Sequence, residues 1–156
     1  MNTPSSAVTC ASAAARHARS APYPRYRILV VEDEASIRQL TASVLTRSGY
    51  QVEATEDGAA AWNSLQLSNY DLLVTDNHMP KVTGLELLKK VRVARMALPV
   101  IMATGSLPDE EFARHPWLQP AATLQKPFTV EELLGTVQAV LRAATGNHAQ
   151  PEPSPA

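Results

Sequence analysis

The sequence predicts an α/β domain built on a parallel sheet, and three observations carry that prediction. Short apolar runs alternate along the chain with segments of helical period. Several of those runs are apolar almost throughout, as strands covered on both faces require. The 156 residues, 45% hydrophobic and 19% charged, suffice for one domain with a sizeable core. Six glycines and a lone Cys10 exclude a collagenous or disulfide-framed chain. A formal charge of −1 argues against a protein whose main work is gripping nucleic acid. No run reaches the ~18 apolar residues of a membrane span.

The elements follow in order. RILVV (27–31) is a short apolar run ending in charge, which suits a strand buried on both sides. Residues 34–48 place Ile37, Leu40, Val44 and Leu45 on one helical face and stop at Ser48-Gly49. QVEAT (51–55) is half polar and reads as an edge strand. GAAAWNSLQL (58–67) is an alanine-rich helix with Trp62 and Leu65 facing inward. DLLVT (71–75) is the third strand, GLELLKKVRVA (84–94) the third helix and PVIMAT (99–104) the fourth strand. Pro108, Pro116 and Pro120 leave room for only about two turns of helix, over 109–115. AATLQ (121–125) is a weaker fifth strand. Thr129 and Glu132 form a capping box that opens the last helix, with Leu133, Leu134, Val137 and Leu141 as its inner stripe and Gly146 at its end.

The flanks differ from this core. Residues 1–26 hold Ala, Ser, Thr, Pro and arginines without one acid, and 147–156 close on PEPSPA. Neither stretch offers enough apolar surface to offset its ordering entropy, so both read as disordered tails around a domain at 27–146. The acid-free N-terminal composition also resembles an organellar transit peptide. Without a secretory h-region, and with one cysteine, a reducing cytoplasmic location is expected.

In an open parallel sheet, ligands gather beyond the carboxyl ends of the strands, near the point where strand order reverses. Strand one ends in Glu32-Asp33, strand three in Asp76, strand four in Thr104, and strand five runs into Lys126. Converging carboxylates repel unless a cation stands between them. Hard, oxygen-seeking Mg²⁺ suits such a set, and no cysteine or spaced histidine pair favours a softer metal.

RILVVEDE (27–34), DLLVTDNHMPKVTGLELLKKVR (71–92), PVIMATG (99–105) and QKPF (125–128) together resemble the receiver domain of two-component response regulators. The resemblance implies a flavodoxin-like, doubly wound sheet of five parallel strands in the order 2-1-3-4-5, with helices on both faces. It implies that Asp76 accepts a phosphoryl group and that Glu32, Asp33 and Asp76, with the backbone carbonyl at His78, hold Mg²⁺. Thr104 matches the hydroxyl residue that bonds the phosphoryl group, and Lys126 the lysine that pairs with it. The Lys126-Pro127 bond is expected to be cis. Implied partners are a histidine kinase or a histidine phosphotransfer protein upstream and an unidentified protein downstream. A homodimer is also possible in this family, and neither nucleic acid nor membrane is expected as a direct partner.

Other residues carry weaker expectations. Gly105 leaves the approach to the phosphoryl group open. His78 is by default a solvated loop residue; the sharper reading has it tune hydrolysis of the acyl phosphate. Pro80 and Gly84 shape the turn into helix three, Trp62 and Trp117 are core or rim packing residues, and Lys89, Lys90, Arg92 and Arg95 form a solvated basic face. The family pattern calls for Tyr or Phe three residues before the lysine, and Thr123 stands there, so the usual hydroxyl-to-aromatic relay is altered. The expected protein is a stand-alone receiver that signals by docking, because only 14 residues follow Arg142. It is not an enzyme beyond its own phosphotransfer and dephosphorylation. The alternatives are a phosphate-independent interaction module and, more remotely, an aspartate-nucleophile phosphohydrolase.

Overall fold

The computed structural model describes residues 25–146. Five strands, β1 (Arg27–Val31), β2 (Gln51–Thr55), β3 (Leu72–Thr75), β4 (Val100–Thr104) and β5 (Ala122–Gln125), alternate with five helices. The helices are α1 (Ala35–Arg47), α2 (Gly58–Leu67), α3 (Gly84–Val93), α4 (Asp109–Arg114) and α5 (Val130–Gly146). A 3-10 turn, Pro116–Leu118, follows α4.

All strand pairings are parallel and the order is β2-β1-β3-β4-β5. The half-polar strand lies at one edge, where only one side needs a partner. Side chains alternate across the sheet and divide the core in two. Leu29, Val31, Leu73, Val100 and Met102 pack with residues of α2, α3 and α4. Ile28, Val30, Leu72, Val74 and Ile101 pack with residues of α1 and α5. This explains the continuous apolar runs: β1, β3 and β4 have no solvent face.

Capping sets the helix starts. In α3 the Thr83 hydroxyl accepts from Glu86 N–H and the Glu86 carboxylate accepts from Thr83 N–H, a complete capping box. The expected box at Thr129 and Glu132 is likewise formed, at 2.7 and 3.1 Å. Gly49, at φ +98°, turns the chain out of α1 in a conformation that favours glycine. Leu133, Val137 and Leu141 are buried as expected, joined by Val140.

One expectation on packing is corrected. Leu40 was assigned to the inner stripe of α1 but is 62% exposed; Thr41, about 100° further round the helix, is buried with Leu45 instead. Trp117 is 54% exposed and meets His115 edge-on, which makes it the rim member of the two expected packing tryptophans. Trp62 packs against the core and carries the Lys90 ammonium 5.3 Å from its ring centroid. The basic face of α3 is largely occupied within the chain, since Lys89 meets Glu111 at 4.0 Å and Arg92 donates to the Gln119 carbonyl. Tyr26, counted with the tail on composition, packs against the α1–α5 side of the core, and its carbonyl accepts from Gln51 N–H. Residues 1–24 and 147–156 of the two expected tails lie outside the described residues. Among the described residues no helix is long and apolar enough to cross a membrane.

Candidate functional site

Register brings the acidic residues together. Val31 pairs with Thr75, so β1 and β3 end at the same level. The ladder runs one residue further: Glu32 N–H donates to the Thr55 carbonyl and Asp76 N–H to the Val31 carbonyl, both at 3.1 Å. Glu32 and Asp76 therefore leave neighbouring strands side by side. On the far side Thr104 pairs with Gln125, and Lys126 N–H donates to the Thr104 carbonyl. The lysine then reaches back across the strand ends. Its Nζ lies 2.5 Å from Glu32 Oε2 and 3.1 Å from Asp76 Oδ2. The Lys126-Pro127 peptide bond is cis, as the resemblance implied.

Carboxylate oxygens of Glu32, Asp33 and Asp76 all lie within 4.8 Å of one another. Glu32 and Asp76 are only 5% and 7% exposed, whereas Asp33 faces solvent. Burial pushes the Glu32 carboxyl above its ordinary value, against the opposing pull of Lys126 and the Glu34 N–H. Burial also works against the Lys126 ammonium, yet its hydrogen bonds to Glu32 and Asp76 prevail and hold it above its usual value. One cation thus serves two buried acids, an arrangement that would be costly to leave unpaired. The donors are all oxygen and mostly anionic, which fits a hard divalent ion such as Mg²⁺.

The loop after β3 is braced around Asp76. Asp76 Oδ1 accepts from Asn77 N–H at 2.6 Å and from His78 N–H at 3.3 Å. Gly84 N–H returns to the Asn77 carbonyl, and the Asn77 side chain accepts from Leu85 N–H. The closure is so tight that a Cβ at Gly84 would stand 2.1 Å from the Asp76 carbonyl oxygen. A second brace comes from α2. Asp57, buried at its N-cap, accepts from Ala60 N–H and from the Lys81 ammonium at 3.1 Å. Lys81 itself adopts φ +68°, a conformation that disfavours side chains, so the ion pair holds a strained residue.

Of the residues singled out from sequence, Glu32, Asp33, Asp76 and Lys126 converge as expected. Thr104 is buried at the end of β4, but its hydroxyl donates to the Ser106 carbonyl and accepts from Ser106 N–H, within its own loop. Gly105 is exposed with nothing within 4 Å of an added Cβ. His78 is exposed at the rim, and Thr123 is exposed on β5. Sequence reading missed Arg38, Asn77, Asp57 and Lys81. Arg38 lies one turn into α1 after the acidic pair, and that spacing was its available signal; the Asp57–Lys81 pair left none, because its partners belong to different loops.

Residues 28–138 match the response regulator receiver domain family. The chain is 38% identical over 118 residues to the alkaline phosphatase synthesis transcriptional regulatory protein PhoP of Bacillus subtilis, covering 74% of this chain and 48% of that protein. It is 36% identical to the response regulator MprA of Mycolicibacterium vanbaalenii, covering 76% and 52%. The chain thus spans about half the length of the curated relatives it matches. Among solved structures, the chemotaxis response regulator CheY4 of Vibrio cholerae superposes with a TM-score of 0.68 at 34% identity, over 74% of this chain and 98% of that one. The response regulator TrrA of Thermotoga maritima, solved in complex with Mg²⁺ and BeF, superposes at 0.65 and 30% identity, over 74% and 98%. The chain belongs to the receiver domain family of two-component response regulators. Phosphorylation on aspartate and Mg²⁺ binding at an acidic pocket are general to that family.

Proposed function

We propose that this receiver accepts a phosphoryl group on Asp76 from the phosphohistidine of a histidine kinase or phosphotransfer protein, and signals by docking onto a downstream protein. The observation that carries the reading is the Lys126 ammonium bonded to both Glu32 and Asp76, with Asp33 beside them, at the one rim of the sheet where its order reverses.

The chemistry follows from the chain's own groups. A carboxylate oxygen of Asp76 attacks phosphorus in line, the phosphorus–nitrogen bond of the donor breaks, and its imidazole leaves. The N–H groups of Asn77 and His78 hold the other Asp76 oxygen, so the nucleophile is oriented before the donor arrives. Lys126 is placed to move its charge from Asp76 onto the phosphoryl oxygens as they arrive. Thr104 needs only to exchange the Ser106 carbonyl for a phosphoryl oxygen, at 3.3 Å the weaker kind of bond to give up. Glu32, Asp33, Asp76 and the His78 carbonyl are the groups that would hold Mg²⁺, which supplies further neutralisation of phosphoryl charge.

A groove of about 410 Å³ supports the choice of donor. It runs between α1 and α5, is lined by Ile37, Leu40, Val44, Phe128 and Val130, and reaches Lys126 at one end. The exposed Leu40 and Val130 suit an amphipathic helix that presents a phosphohistidine next to Asp76.

Incubation of the chain with Mg²⁺ and acetyl phosphate, followed by mass spectrometry, tests the reading. A single added phosphoryl group, absent in Asp76→Asn, is expected. No labelling would point to a phosphate-independent contact module, and rapid turnover of donor without labelling to a phosphohydrolase.

A further inference from the structure

We infer that Arg38 is a positioning residue for the divalent cation, acting through the backbone of the acidic pair. The inference rests on the cation site proposed above and deepens it.

The turn from β1 into α1 carries two of the three carboxylates, and beyond the ladder bond from Glu32 N–H to the Thr55 carbonyl few contacts hold it. Glu34, the N-cap residue of α1, makes no side-chain cap bond, and its carboxylate instead accepts from the Ser36 hydroxyl. Within the turn the Glu32 carboxylate accepts from Glu34 N–H at 3.2 Å. Among the described residues the Asp33 carboxylate, exposed at the rim, has no hydrogen-bond partner. What ties this peptide down is the Arg38 guanidinium. Its Nη1 donates to the Glu32 carbonyl at 2.9 Å and to the Asp33 carbonyl at 3.3 Å. Charged donors make the stronger hydrogen bonds, and a planar guanidinium fixes direction as well as distance. Both acids thereby leave a backbone clamped from the helix one turn away. Lys126 holds the Glu32 carboxylate from the opposite side, so Glu32 is fixed at both ends and Asp33 through its carbonyl alone.

Charge and geometry predict opposite signs. A guanidinium near the site repels a dication, so by Coulomb repulsion alone its removal would tighten Mg²⁺ binding. A clamp on the ligating residues makes its removal weaken binding, as the loss of groups that orient metal ligands does in general.

Calorimetric titration of the full chain with MgCl₂, for wild type, Arg38→Ala and Arg38→Lys, decides the sign. Arg38→Ala is expected to weaken Mg²⁺ about tenfold, and Arg38→Lys, which keeps a cationic donor, about threefold. The rate of labelling by acetyl phosphate should recover to within about twofold of wild type at saturating Mg²⁺, a split that general damage to the fold would not produce. Affinity in Arg38→Ala that is unchanged or tighter, while wild type binds, overturns the inference alone. Absence of Mg²⁺ binding by wild type overturns the cation site and the inference with it. Should Arg38→Ala not melt cooperatively, Arg38→Lys decides by the same readings.

Discussion

Lys126 Nζ stands 3.1 Å from Asp76 Oδ2 while bonding Glu32 Oε2 at 2.5 Å, so a single ammonium is shared by two buried carboxylates at the ends of adjacent strands. The pairing has a cost for metal binding and a benefit for phosphotransfer. Replacing Lys126 with Met removes a cation from a pocket of three carboxylates, and Mg²⁺ should then bind more tightly. Labelling by acetyl phosphate should nevertheless slow by roughly 100-fold, the usual loss when one electrostatic stabiliser of a transition state is deleted. Titration calorimetry and labelling kinetics on Lys126→Met would show the two effects moving in opposite directions.

Gly84 and Gly135 should respond oppositely to alanine. A Cβ at Gly84 meets the Asp76 carbonyl at 2.1 Å, a backbone contact that cannot yield without moving the loop. Gly84→Ala should cost about 2–3 kcal/mol and impair labelling. Gly135 lies inside α5 with nothing within 4 Å of an added Cβ, and Gly135→Ala should stabilise by about 0.5–1 kcal/mol. Urea unfolding of the two variants measures both signs.

The Asp57–Lys81 pair should give stability a specific acid limb. The Ala60 N–H and the Lys81 ammonium hold the Asp57 carboxyl below its ordinary value of 3.8. A depressed folded value means that the contribution is complete above that ordinary value and is lost as pH falls through the folded one. Asp57→Ala should therefore melt below wild type at pH 7, with the gap narrowing once pH drops under about 4. Thermal melts at a series of pH values would sink the idea if the gap stayed constant.

His78 stands at the mouth of the pocket, its N–H on Asp76 Oδ1 and its ring exposed. A ring there can orient or block the water that hydrolyses the acyl phosphate. His78→Ala should change the lifetime of the labelled protein by severalfold without altering the mass of the product. An unchanged decay rate would return His78 to the role of a solvated loop residue.

Much of the site was legible because a strand buried on both faces reads as an apolar run, and the first charged residue after it marks the carboxyl end. That logic located Glu32, Asp33 and Asp76, while Thr104 and Lys126 were found as the polar residues that close the fourth and follow the fifth strand. It failed where a side chain's neighbours come from another element. Periodicity put Leu40 inside α1, but α1 buries Thr41 and Leu45, and Leu40 is left at the edge of the groove toward α5. Nothing in the local sequence tells Lys81 to adopt φ +68°; its partner Asp57 is 24 residues earlier. The Thr104 hydroxyl was matched to a phosphoryl group, and which acceptor it meets in the absence of one, Ser106, depends on the path of the following loop.

By itself the sequence determined the succession of elements, the capping box that opens α5 and the chemical inventory at the strand ends, because each depends on residues a few positions apart. Tertiary structure decided the rest. Apolar strands are interchangeable as far as periodicity goes, so only packing of the crossovers could put β1 beside β3 and level Val31 with Thr75. That register turns separate acids into one pocket, and it lets Lys126, 94 residues from Glu32, close it.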